Sequence, residues 1–492
     1  MKTFIRVLSL VLALLMLASA FVSCDKPDDK NDEDTKNNDA VASTDAQTEE
    51  ETKTKLPEMN WEGESYRILG REFTEDNFRN FEVDRDEMPE DVVGLAVWNR
   101  NEAIKAKYGL DVVGTLEEKP ADSAKVFLSS GDDLYDLILC PISSFQAIAM
   151  EGYLVNISTL KYIDLEHPCW NAYANEQLTF GGKLYYTTNK FMLQDKHRTW
   201  SIWYNRTLAR ELNIGYLETE VFDGTWTIDR LIEVAKIGAI ESNGESGMTS
   251  GDTWGVVLSS SGNLTQLLYG SGFRISTMGN DGYPVLVGAD ETSLSIIDKV
   301  LSLTSDPNTC FVNDVRPTTD TWAEGIYNEG RAVIMTHCLS YSSNISRLTF
   351  EYGVLPNPKY TAEQDNYYCL PDTSNGSLMA VPSTINNIDK AGFGLEALSE
   401  ESVETSYKDY IETKCKLQVA FDEDMSKCLN IIFDNVAYDI AYLNDYGGLR
   451  KVVQSDMIKE SQNIYSRMYD KYKKKATNQI NKIKETYASL PS

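Results

Sequence analysis

The segment Tyr135-Asp136-Leu137-Ile138-Leu139-Cys140 most narrows what this chain can become. Its apolar run, with no polar alternation, suits a parallel strand buried on both faces, since only a strand covered by helices needs no wet side. Ser65–Gly70 and Asp111–Gly114 read as earlier strands. Between them Val93, Val97, Ile104 and Tyr108 fall at helical spacing, and Gly109 supplies a stop. Phe145–Met150 continues as helix. After Gly182 the alternation resumes: Trp200–Tyr204 as strand, Arg206–Leu212 as helix, then a helix that Thr227 caps with Asp229 in its first turn. Trp254–Leu258 and Ala332–Met335 are further buried strands. This pattern predicts an α/β chain with ligands at the C-terminal ends of its strands. At 492 residues it exceeds one ordinary core, so two large lobes are expected.

The N-terminus carries an address. Lys2 and Arg6 precede an apolar run from Val7 to Leu17, and small residues Ala18, Ser19 and Ala20 lead to Phe21-Val22-Ser23-Cys24. That is the pattern of a secretory signal, residues 1–23. The tetrad resembles a bacterial lipobox ending in a lipidated Cys24, with Phe21 where Leu is usual; the alternative is an ordinary cleaved signal beside an incidental cysteine. Residues 24–58 hold Asp, Glu, Lys, Asn and Thr with almost nothing apolar, so they read as an acidic tether that cannot build a core. No later segment approaches the ~20 apolar residues of a membrane helix. The expected location is the outer face of the plasma membrane, with the lipid as the sole attachment.

A net charge of −29 repels phosphate backbones and anionic headgroups, which argues against nucleic acid as a partner. Seven cysteines remain beyond Cys24: Cys140, Cys169, Cys310, Cys338, Cys369, Cys415 and Cys428. Their scatter fits neither a disulfide framework nor CxxC metal ligands, and both one or two bridges and wholly free thiols are compatible with it. Beyond Ser406 the chain is mostly helical, with Val453, Met457, Ile464, Met468 and Tyr472 forming a docking stripe.

Signatures of catalysis are thin. The chain contains no HExxH, P-loop, GxGxxG or GxSxG. His167, His197 and His337 each lack a second ligand at i+3 or i+4, so no metal is expected. No cofactor is expected either, and binding is favoured over catalysis. The 27 Tyr and 8 Trp against 16 Phe lean toward aromatics with a polar handle, which suit sugar faces and hydroxyls. By position after strands, Arg71 and Glu72, and then Ser143, Ser144 and Phe145, are candidate ligand contacts. Trp203 and Trp226 are weighed as candidates against a core role, and Tyr438 and Asp439 as bordering a cleft.

Six segments in order resemble the extracellular solute-binding proteins of family 1, the maltose-binding type. They are Gly131–Ile138, Glu151–Ile157, Gly182–Tyr186, Trp203–Leu208, Gly224–Thr227 and Gly330–Met335. The resemblance implies a two-lobed periplasmic-binding-protein-like fold of type II, each lobe a mixed sheet flanked by helices with the ligand cleft between. It places lobe one at 59–185 and 376–402, and lobe two at 186–375 and 403–492. It further implies a monomer that captures a small solute, a carbohydrate above all, for an ABC transporter permease. Asn263 falls where that family contacts ligand. His337 and Tyr341 follow the Gly330–Met335 strand, with Tyr341 at the position of a sugar-stacking aromatic. Leu193-Gln194-Asp195 departs from the family's small, proline-rich crossover. The rival reading is a surface protein that binds or degrades polysaccharide.

Overall fold

The structure is a computed structural model describing residues 56–491, apart from 73–78, 84–87, 260, 314–321 and 416–421. The signal segment, Cys24 and the acidic stretch through residue 55 lie outside the described residues.

Three strands open the fold: β1 (Glu64–Arg71), β2 (Leu110–Glu117) and β3 (Leu137–Pro141). β1 runs parallel to both β2 and β3. The helix Val92–Tyr108 starts where the Asp91 carboxylate accepts the Gly94 N–H and ends at Gly109, whose φ of 59° favours a residue without Cβ. The chain then passes through 188–198 into a second group of strands. These are β4 (Thr199–Asn205), β5 (Trp254–Leu258), β6 (Ser276–Met278), β7 (Pro284–Leu286), β8 (Cys310–Val312), β9 (Ala332–Cys338), β10 (Tyr352–Leu355) and β11 (Leu370–Pro371). It returns through 372–376 to β12 (Ser377–Ala380), antiparallel to β3.

The first sheet has the order β12-β3-β1-β2; the second has β10-β4-β9-β5-β8, with β11 also on β4. β5 is parallel to β8 and β9, whereas β4 is antiparallel to β9 and β10. Both sheets are therefore mixed, and the helices around them give a two-lobed α/β molecule. Packing is close enough to constrain backbone. A Cβ on Gly255 in β5 would stand 1.9 Å from the Ala235 carbonyl oxygen, so helix Ile228–Gly238 rests directly on the strand. Thr227 caps that helix as expected, its hydroxyl accepting the Arg230 N–H.

The C-terminal stripe is not one continuous helix. A wide π-type turn (Val452–Asp456) and a short helix (Met457–Glu460) end at Ser461, whose φ is 49°, before helix Tyr465–Ser489 begins. The break re-aims the chain. The Tyr487 ring meets Phe180 and Tyr185 edge-on at 5.6 and 5.2 Å, and Lys183 donates to the Tyr487 carbonyl at 2.7 Å. On the other side Lys484 pairs with Asp281 in the turn joining β6 and β7. This last helix thus grips both lobes.

Cys140, Cys169, Cys338, Cys369 and Cys428 are buried free thiols, and Cys310 is buried as well. The Cys415 side chain is outside the described set. Among the described residues, no helix is long and apolar enough to cross a membrane.

Candidate functional site

Parallel strands present their C-terminal ends together, and the two sheets aim theirs at the crossing segments. β1 ends at Arg71 and β3 at Pro141; β5 ends at Leu258 and β9 at Cys338. Between them the turn 372–376 is held from the first lobe. Arg71 donates to the Ser374 carbonyl at 2.9 Å, and the Ser143 N–H donates to the Thr373 carbonyl at 3.1 Å.

Arg198 ties the same turn to the second lobe. Its guanidinium donates to Asp372 at 2.7 Å and to the Ser340 hydroxyl, just beyond β9, at 2.8 Å. Asp372 also accepts the N–H groups of Ser374 and Asn375, which fixes the turn. Burial, with Arg198 nearby, lowers the Arg71 pKa. From the C-terminal segment, Arg450 reaches Thr373. A strip of donors with some exposed atoms therefore lies where the strands converge.

Lobe two adds aromatic surface. His337 lies tilted against Trp200, with centroids 6.2 Å apart, and its Nε2 is 3.2 Å from Glu324. That pairing holds the Glu324 carboxyl below its ordinary value. Glu324 belongs to helix Ala323–Asn328, and Trp322, immediately before it, exposes 73% of its surface. Trp322 therefore offers a largely exposed indole face next to the helix that carries Glu324.

The sequence candidates divide accordingly. Arg71, Ser143, Ser144 and His337 sit at the strand ends with partly accessible atoms. Glu72 is exposed beside Arg79, at 3.9 Å. Asn263 is buried and turned to Thr336, donating to its hydroxyl at 2.8 Å. Phe145 stacks on Tyr186 at 5.4 Å. Trp203 is buried between Tyr341 and Tyr352, and Trp226 is sealed in the core with its indole N–H on the Pro356 carbonyl. Tyr341 has no exposed ring face: it packs edge-on against Trp203 at 5.0 Å, and Asn328 accepts its hydroxyl.

Tyr438 and Asp439 line a second cavity of about 260 Å³ with Tyr173, Gln177 and Arg274. Asp439 is saturated there by Tyr269, Ile275 and Ser276, so its carboxylate fastens the chain.

Sequence reasoning missed Arg198, Trp200, Trp322 and Glu324. Trp200 was legible only as a strand residue, and Trp322 has no periodic neighbours to mark it. The departure at Leu193-Gln194-Asp195 has a local cause: Gln194–His197 forms a short buried helix in which Asp195 accepts from Thr188 and pairs with Lys196 at 3.1 Å.

No family model and no curated protein matches the sequence. Solved structures do. A sugar transporter from Rhizobium etli in an open conformation superposes with a TM-score of 0.54 at 13% identity, covering 87% of this chain and 100% of that one. A cyclo/maltodextrin-binding protein complexed with maltotetraose gives 0.55 at 13%, covering 85% and 97%. UspC of M. tuberculosis gives 0.52 at 11%, covering 84% and 99%. Near-complete coverage at such low identity is a statement about architecture, and the architecture is that of the two-lobed solute-binding proteins.

Proposed function

We propose that this chain is an extracytoplasmic binding protein that holds a carbohydrate between its lobes and delivers it to an ABC permease. The observation that carries the reading is the meeting of both sheets' strand ends at the crossing segments, where Arg71, Ser143 and Arg198 gather on the turn 372–376 and Trp200 lies against His337, with the exposed Trp322 as the candidate stacking face. Sugars need both surfaces: an apolar plane for the ring and directional partners for the hydroxyls. The architecture it shares with a maltotetraose-bound protein supports the same solute class. In this reading Cys24 carries the lipid, 24–58 is the tether, the protein works as a monomer, and it captures without cleaving.

The test is a thermal melt with neutral and uronic-acid oligosaccharides, followed by calorimetry on any hit. A ligand bound by folded protein alone raises the melting temperature in proportion to ln(1 + [L]/Kd). Silence across the whole panel in both measurements removes the carbohydrate assignment. Release of reducing ends from a polysaccharide by the purified protein replaces capture with hydrolysis.

A further inference from the structure

Away from the crevice, a mixed set of ligand atoms meets inside the first lobe. His167, Cys169 and Glu396 place one donor atom each within 4.8 Å of one another. The first two lie on a tight turn, fixed by the His167 N–H on the Asp164 carbonyl and the Trp170 N–H on the His167 carbonyl, each at 2.9 Å. Glu396 projects from helix Ile388–Ser402.

Glu396 is 1% exposed, and among the described residues no Lys or Arg forms an ion pair with it. Trp170 donates its indole N–H to Oε2 at 3.0 Å. Oε1 is buried without a hydrogen bond of normal geometry, offset only in part by the Asp164 backbone. A buried carboxylate left this way is costly. The Cys169 thiol beside it is also buried. His167 is half-buried and gives the cluster a path to solvent. Its Nδ1 accepts the Cys169 N–H at 3.2 Å, so that nitrogen carries no proton.

We propose that His167, Cys169 and Glu396 form a binding site for a zinc-class divalent cation. Sulfur, imidazole nitrogen and carboxylate oxygen are the donor set such an ion takes, with a fourth position left for water. The charges close: a thiolate and a carboxylate neutralise the dication, and a neutral imidazole completes the set. The ion would staple the 164–170 turn to the helix. The Cys169 carbonyl accepts the Lys190 N–H at 2.9 Å, so the staple sits at the root of the segment crossing to the second lobe.

The experiment uses the full chain, stripped with chelator and titrated with Zn²⁺ and, separately, Co²⁺. Expected are one equivalent bound and a sulfur-to-cobalt charge-transfer band. Cys169→Ser removes the band, and Glu396→Gln weakens binding. Because both residues are buried, His167→Ala is the variant that spares the fold: it weakens binding at least tenfold while the metal-free melting temperature stays unchanged. No stoichiometric binding, or binding equal in His167→Ala and the parent, overturns the site. Sugar binding by the stripped protein is a separate readout, so failure here leaves the crevice reading untouched.

Discussion

Trp322 and Glu82 show how differently single side chains are used. Trp322 gives little to the fold, being mostly exposed, so Trp322→Ala is expected to leave the melting temperature unchanged. Losing a stacking face costs about 1 kcal/mol, roughly fivefold in affinity, which calorimetry with a bound oligosaccharide reads. Glu82 has the opposite character. It is fully buried, receives the Gln194 N–H at 3.3 Å and the Asn80 amide at 3.2 Å, and has Asp195 nearby. Burial pushes its pKa up to about 7. The folded state then keeps a proton that the unfolded chain gives up near the ordinary carboxyl value. This contribution to stability is full at pH below that value, declines as pH rises through 7, and is flat above. Melting curves from pH 4 to 8 should show the decline, and Glu82→Gln should flatten it; an unchanged slope in the variant refutes the assignment. Neither role was readable from sequence, since exposure and burial at these positions are set by residues far along the chain.

Secondary elements were far more legible, because periodicity and caps are local. β1, β4, β5 and β9 fall within a few residues of their apolar runs, and Thr227 opens a helix and Gly109 closes one where their chemistry requires. The C-terminal stripe does dock, with Val453, Met457 and Ile464 buried and Met468 and Tyr472 packed against the core; what the spacing does not record is the left-handed turn at Ser461, because side-chain periodicity carries no trace of one φ angle. Two substitutions test the packing at this scale. Gly255→Ala forces a methyl into the Ala235 carbonyl and is expected to cost about 2 kcal/mol or more in chemical denaturation. Thr227→Ala removes one cap bond, for about 1 kcal/mol. The cluster at His167 and Cys169 escaped the spacing argument because Glu396 arrives on a helix from the far side of the return crossing.

At the scale of the whole molecule, the alternation of strands and helices sufficed for two mixed sheets, and the order of six short segments anticipated how they are joined. What lines the crevice was only partly visible. Arg198 and Asp372 meet because two crossings lie side by side, a fact of topology that composition does not hold. A solute clasped by both halves should protect the fold: at a hundredfold excess over Kd the gain is about 2.7 kcal/mol, read as a rise in the melting midpoint.

The final helix alters what such a clasp can do. Halves joined only by crossing strands swing like the covers of a book, but here Lys484 and Tyr487 pin a rod along the spine. Each posture of the covers has to be reached with that rod carried along or slid. Under the proposed capture mechanism, the balance between postures would be weighted from this seam, and substitutions at Asp281 or Lys183 are expected to shift apparent affinity without altering the strand-end residues.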